Sequence, residues 1–389
     1  MTRPRPIAAL PALHPIALLP TLGAPRAFPL SDPRTQPFYL GRGAVVRAVE
    51  RLGLGGCEVL VPAYHHGVEV EALLAAGVRP RFYNVTRDFQ TDFASLAAEV
   101  TPETRAIYVI HFVGLPQPMP EIVAFARARG LKIIEDCALA LYSRDGRFPL
   151  GSRGDAAIFC FYKTLAVPHG GALWMPAPGP PPALSPPGVL ATAHQILASL
   201  LTHLDRQGGT LGHLARRMLR KTARWWRLVG PLPVDSRPVG TRSFVPGQEK
   251  LGIAPASLRI AVRSEARSVV EARRRNYYAL LSRLREVCPP MVQELPSGAC
   301  PLFYPLWTED KRALQQALAQ EGIESIDFWR EGSPLVPPGK FPDVEALRAH
   351  VLELPIHQDL DLGDIERIAR TVKRALATRR PKARALAGE

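Results

Sequence analysis

From Gly41 to Met175 the chain alternates between two patterns: short, unbroken apolar runs, and longer stretches with apolar residues at helical spacing. In GRGAVVRAVERLGL, Val45, Val49 and Leu52 recur at helical intervals behind two glycines, which predicts a helix opening directly after a tight turn. CEVLVP, PRFYNV and AIYVIHFVG are short apolar runs of the kind shown by strands buried on both faces. AYHHGVEVEALLAAG, DFASLAAEV and PMPEIVAFARARG lie between or after them and read as helices. This order predicts an α/β fold, a mostly parallel central sheet flanked by helices, with functional groups gathered at the strand C-termini.

Two further runs carry the chemistry. Lys132 to Ile134 predicts a buried strand that ends in the acidic pair Glu135-Asp136, and AAIFCFY, Ala156 to Tyr162, predicts another that delivers Lys163. Thr164, Pro168 and the pair Gly170-Gly171 follow. A carboxylate and an amine at neighbouring strand ends suit an electron-sink cofactor such as pyridoxal phosphate: the lysine forms a Schiff base, and the acid keeps the ring nitrogen protonated. On spacing alone the blander reading is stronger, because an aspartate after a strand is usually a cap or turn residue and a single lysine is usually solvated.

After Met175 the pattern loosens. PAPGPPPALSPPG reads as a proline-rich loop, followed by two helical stretches, VLATAHQILASLLTHL and HLARRMLRKTARWWRL. The second is basic, with Arg216, Arg217, Arg220, Lys221, Arg224 and Arg227 beside Trp225 and Trp226. A subunit contact or a basic rim for phosphorylated substrate is preferred to membrane-surface docking, since no lipid anchor or second membrane signal accompanies it. SLRIAVRSEARSVVEARRRNYYALLSRLREV predicts one long helix linking two domains. PLFYPLWT, DKRALQQALAQEGI, VLELPIHQDL and GDIERIARTVKRAL then alternate strand and helix, an α+β small domain in which Asp364 is expected to cap the last helix and the tail RRPKARALAGE to fray. The expected organisation is a Pro-rich arm over residues 1–36, a large domain over 37–250 with a divergent insertion at 176–247, and a small domain over 251–389. The arm is expected to cross the surface or a neighbouring subunit.

Composition narrows the function classes. At 389 residues, 47% hydrophobic, the chain can bury two sizeable cores. The net charge of +14 comes from arginines spread along amphipathic stretches rather than clustered with aromatics, so nucleic acid is not the expected partner. The five cysteines form no C-x-x-C pair, which predicts reduced thiols, a cytoplasmic location and no metal site. Prolines at 4, 6, 11, 15 and 20 break the N-terminal apolar stretch, and no run reaches the length of a membrane span.

Taken in order, CEVLVPAYHHGVEVEALLAAGVRPRFYNV, TPETRAIYVIHFVGLPQPMPEI, GLKIIEDCALA, the G-S-R-G-D run at Gly151 to Asp155, FCFYKTL with Gly170-Gly171, and LELPIHQDL resemble the DegT/DnrJ/EryC1/StrS sugar aminotransferase family. The resemblance runs from about Gly41 to Leu376 and implies the type I pyridoxal-phosphate transferase fold. It implies that Lys163 is the Schiff-base lysine and proton shuttle, that Asp136 is the partner of the pyridine nitrogen, and that His66 stands where the family stacks a ring on the cofactor. Arg42 and Gly43 match the phosphate-binding helix start, although without the resemblance a plain glycine-containing helix start is the stronger reading. Cys160 falls where the family usually has a phosphate-binding serine.

The resemblance further implies amino transfer from a glutamate-like donor to a keto-sugar, most often nucleotide-linked, in a homodimer. Several positions depart from the family pattern. Cys160 is a poorer donor than a hydroxyl, Leu139 stands where many members have a glutamine, and the usual Asn-containing segment is not recognisable before SLRIAV. Two alternatives follow: a sugar dehydratase of the same family, whose members usually replace the lysine retained here, and a degenerate relative serving as a binding or scaffold protein.

Overall fold

The apolar runs form one sheet, and the helical stretches cover it. In the computed structural model, which describes residues 5–19, 27–206, 243–327 and 329–377, the chain runs β1 (Gln36–Phe38), α1 (Gly41–Leu52), β2 (Glu58–Pro62), α2 (Val68–Ala75), β3 (Arg79–Tyr83), α3 (Phe93–Ala98), β4 (Thr104–Ile110), α4 (Met119–Arg127) and β5 (Lys132–Cys137). A small hairpin, β6 (Arg144–Asp145) and β7 (Phe148–Pro149), precedes β8 (Ala156–Cys160), β9 (Gly171–Trp174) and α5 (Val189–Arg206). The seven-stranded sheet has the order β1-β9-β8-β5-β4-β2-β3. β3, β2, β4, β5 and β8 are mutually parallel, while β9 and β1 pair antiparallel at one edge.

β8 is buried along its whole length, and β5 beyond its first residue, so these strands carry no alternation of apolar and polar positions. The register pairs Asp136 with Ile158, which brings the C-terminal ends of β5 and β8 side by side. β8 stops at Cys160, earlier than the apolar run predicts: the N–H groups of Thr164 and Leu165 both bond the Phe161 carbonyl, turning the chain at Lys163.

The C-terminal part is built on α6 (Pro255–Arg263), α7 (Ala266–Leu284), β10 (Phe303–Trp307), α8 (Lys311–Gln320), α9 (Pro342–His350), β11 (Val351–Pro355) and α10 (Leu362–Ala377). β10 and β11 form a two-stranded antiparallel sheet. In α10, Ile365, Ile368, Ala369 and Val372 follow the i, i+3, i+4, i+7 rule and are buried.

Three expectations change. The single linking helix is two: the chain is extended at Ser264 and Glu265, and the Ser264 hydroxyl bonds back to the Ile260 carbonyl, offering the backbone an alternative to helix continuation. Asp364 lies inside the first turn of α10, and Asp361 is the residue whose carboxylate accepts the Asp364 N–H, at 2.8 Å. Gln36–Phe38, at the junction between the expected irregular arm and the large domain, forms an edge strand on β9. The start of the described arm lies on the C-terminal part, with Ile7 bridging Ile323 and the Ala12 N–H bonding Asp359, while Phe28 packs on Phe159 and Trp174 of the large domain. The basic tryptophan-containing stretch and the C-terminal tail lie outside the described residues.

Candidate active site

Five of the six residues selected from sequence line one pocket. Arg42 comes from the first turn of α1, His66 from the turn before α2, Asp136 from the end of β5, Cys160 from the end of β8, and Lys163 from the turn that follows it. Gly43 does not line it; a Cβ there would meet the Glu249 backbone and the Phe38 ring, both at 3.2 Å, so this glycine serves close packing behind the pocket. Gly41 lines the pocket in its place. Glu69, Leu139 and Trp329 complete the wall.

Asp136 is buried, at 7% exposure. One carboxylate oxygen accepts the Ala138 N–H at 2.8 Å, and the other accepts the Tyr108 hydroxyl at 2.6 Å. Burial, and next the Glu69 carboxylate, push the Asp136 pKa above the usual carboxylate range; the Tyr108 hydroxyl and the Lys163 charge pull against them. A carboxylate held this way gains more than a solvated one from a cationic N–H placed beside it. Burial holds the Tyr108 phenol well above its ordinary value, so it remains the donor in this pair.

The opposite wall suits an anion. Arg42 is buried, and its guanidinium donates to the Ser243 carbonyl at 2.9 Å. It sits in the first turn of a 12-residue helix whose N-cap, Leu40, supplies no side-chain hydrogen bond. A helix start that lacks a side-chain cap and carries a buried cation is a favourable place for a phosphate group. Gly171 makes this packing possible, because a Cβ there would lie 2.3 Å from the Gly41 nitrogen. Cys160 is buried, and burial pushes its thiol up, so it stays neutral on this wall.

The remaining walls come from neighbouring turns. The His66 N–H donates to Glu69 at 2.8 Å. Burial opposes ionisation of Glu69, but the surrounding groups, among them the backbone N–H of His66, outweigh it and hold the carboxyl below its usual value. His65 itself is fully buried; its Nδ1 donates to the Pro62 carbonyl at 2.9 Å, and its Nε2 accepts the Ser333 N–H at 2.8 Å. Burial lowers its pKa to about 4. Arg348 donates to the Trp329, Ala63 and His65 carbonyls, so the turn carrying His66 and the segment carrying Trp329 are tied together. The free volume of the pocket is ≈ 70 Å³, room for a few waters.

Tyr108, Glu69 and Trp329 were not selected from sequence. Tyr108 is inside an apolar run and reads as core; only the β4–β5 register, Tyr108 opposite Ile134, brings its hydroxyl to Asp136. A buried trio outside the pocket, His111, Glu135 and Cys137, has metal-ligand residue types. Glu135 is saturated by His111 and by the Gly151, Arg153 and Gly154 N–H groups, which accounts for the G-S-R-G-D run as its cradle.

The sequence profile of the DegT/DnrJ/EryC1/StrS aminotransferase family matches residues 41–178, the stretch that supplies Arg42, His66, Asp136, Cys160 and Lys163. The chain carries this family's signature over that stretch. Within it, the chain is 37% identical over 137 residues to UDP-N-acetyl-3-dehydro-alpha-D-glucosamine 3-aminotransferase of Acidithiobacillus ferrooxidans, a match covering 34% of this chain and 37% of that protein. The chain thus aligns with well under half the length of that relative. It is 25% identical to dTDP-4-dehydro-2,3,6-trideoxy-D-glucose 4-aminotransferase of Saccharopolyspora spinosa over 86% of this chain and 83% of that one. Similarity of fold extends over most of the chain: the aminotransferase TlmJ from Streptoalloteichus hindustanus superimposes with a TM-score of 0.62 at 24% identity, covering 89% of this chain and 86% of that chain.

Proposed function

We propose that this protein is a pyridoxal-phosphate-dependent aminotransferase that moves an amino group from a glutamate-like donor to a keto-sugar, most simply one linked to a nucleotide. The observation that carries this reading is that Lys163, from the turn after β8, and Asp136, from the end of β5, line one pocket together with Arg42. The two relatives above are named for amino transfer to UDP- and dTDP-linked sugars.

The residues present fit the cofactor's chemistry. When bound, pyridoxal phosphate supplies an aldehyde that condenses with an amine and a ring that draws electrons from the adjoining carbon. Lys163 Nζ would hold the group covalently and, once displaced by the donor's amine, carry a proton between donor and acceptor carbons. Asp136 would keep a proton on the ring nitrogen, with Tyr108 and Ala138 fixing the carboxylate's direction. His66 offers a planar ring for stacking, and Arg42 with the α1 start would bind the phosphate. Leu40, Ile110, Leu139 and Ile158 supply an apolar wall that excludes water. Trp329 is the lining residue contributed by the C-terminal part.

The same reading places the protein as a homodimer in the cytoplasm, in keeping with its free cysteines, four of them buried. No helix among the described residues is long and apolar enough to cross a membrane. The direct test is to load the purified protein with pyridoxal phosphate, desalt it, and record visible absorption before and after adding glutamate and a nucleotide keto-sugar. Wild type should hold a coloured cofactor that bleaches with donor and recovers with acceptor, while Lys163→Ala should not transaminate. A folded wild-type protein that stays colourless at saturating cofactor would end this reading.

A further inference from the structure

Side chains of the C-terminal part bond the backbone beside Lys163. Arg273, on α7, is only 1% exposed and is among the largest fully buried side chains of the protein. Its Nε donates to Gln358 Oε1 at 3.0 Å, its Nη1 to the carbonyls of Pro301 and Leu302 at 3.3 and 2.8 Å, and its Nη2 to the carbonyl of Thr164 at 3.0 Å. Among the described residues none of these acceptors is a carboxylate. The Gln358 amide donates to the same Thr164 carbonyl at 3.1 Å, so one oxygen immediately after Lys163 receives two side-chain donors. Gln358 follows β11, and Pro301 and Leu302 lead into β10.

A buried guanidinium bonded only to neutral acceptors is a costly way to fill a core. Its distinctive property is the rigid fork, which holds several carbonyls in one fixed arrangement. Here the fork joins the lysine turn, the entry to β10 and the turn after β11. We propose that Arg273, supported by Gln358, is a positioning residue for Lys163: by pinning the Thr164 carbonyl it fixes the backbone from which the amine projects, and it makes the reach of that amine depend on docking of the C-terminal part. The consequence for chemistry rests on the reading of Lys163 given above; the pinning itself does not. No bond to substrate or cofactor is assigned to Arg273.

Two measurements on the full chain separate the two statements. The first is amide hydrogen exchange of peptides covering residues 161–168, without cofactor. Arg273→Met should speed exchange there by about tenfold or more while peptides from β4 and β5 keep their wild-type rates. Arg273→Lys, which keeps the charge but loses the fork, should fall between. The second is the rate at which added pyridoxal phosphate becomes attached to Lys163, trapped by borohydride and read by mass spectrometry, against its non-covalent binding in the same samples. Arg273→Met should slow attachment by about tenfold or more, with binding before attachment nearly unchanged, because a displaced amine loses its approach geometry.

If Arg273→Met does not fold, Gln358→Ala, which removes one of the two donors to Thr164 and one acceptor of the fork, should show both effects in the same direction at a few-fold. Unchanged exchange over 161–168 in a folded variant, or exchange raised evenly across the whole chain, would overturn the proposal. Should wild-type Lys163 take no cofactor, the reading of the active site fails, and the exchange experiment alone decides whether the clamp exists.

Discussion

Glu135 and Asp136 are consecutive acids on one buried strand, and the structure gives them opposite tasks. Glu135 is fully buried and accepts four hydrogen bonds, from His111 at 3.0 Å and from the N–H groups of Gly151, Arg153 and Gly154 at 3.0, 2.8 and 2.5 Å. Burial opposes its ionisation, but these donors outweigh burial and hold its pKa below the usual value. Asp136 accepts two, from Tyr108 and Ala138, and its pKa moves the other way. A saturated carboxylate is structural; one that is buried yet keeps unused lone pairs on a pocket is available for a ligand. The difference lies in how many donors each side chain meets, because neighbouring residues on a strand face opposite sides of the sheet.

The comparison is broken or sharpened most strongly by the two isosteric amides. Asp136→Asn should lower transamination by about 10²–10³-fold, as the loss of a charge aimed at the reacting group does, while changing the denaturation midpoint little. Glu135→Gln should do the reverse to stability. It replaces an acceptor-only group with one that presents N–H donors to backbone N–H groups, at a cost of about 3–5 kcal/mol in urea unfolding. If the two variants lose stability equally, the distinction between them fails.

A smaller effect is expected from pH. His65 has a folded-state pKa of about 4 against 6.5 for the unfolded chain. Between these values the unfolded state binds more protons, so the stability contributed by neutral His65 is fully present above pH 6.5 and is lost as pH falls toward 4. The loss should approach about 3 kcal/mol, read as urea midpoints across that range. His65→Gln should flatten this dependence. The smallest effect is at Cys160: Cys160→Ser supplies a stronger donor on the phosphate wall and should tighten cofactor binding by several-fold, roughly 1 kcal/mol, measured by equilibrium dialysis.

Much of the fold is legible in the sequence because the central strands are buried on both faces and appear as unbroken apolar runs between helical stretches. The positions of Asp136 and Lys163 follow from the same pattern, since both fall at strand C-termini. Three things are hidden for physical reasons. Tyr108 reads as one more core aromatic, and its role depends on strand register. The break at Ser264 and Glu265 falls within a continuous helical periodicity, which gives no sign of the extended backbone there. Arg273 sits in an arginine-rich helical stretch, EARRRNYY, where composition predicts solvated charge; only helical register, which aligns it with Val269, Tyr277, Leu280 and Leu284, separates it from Arg274 and Arg275, and it alone of the three is fully buried. A charged residue on an apolar face is easily passed over when the neighbouring positions are charged as well.

The account depends above all on Lys163 being the residue that holds the cofactor. The most direct measurement is borohydride trapping of the wild-type protein with pyridoxal phosphate, followed by proteolysis and mass spectrometry. The account predicts one modified site, Lys163, and no modification there in Lys163→Ala. Attachment spread over surface lysines, with Lys163 unmodified in folded protein, would contradict it.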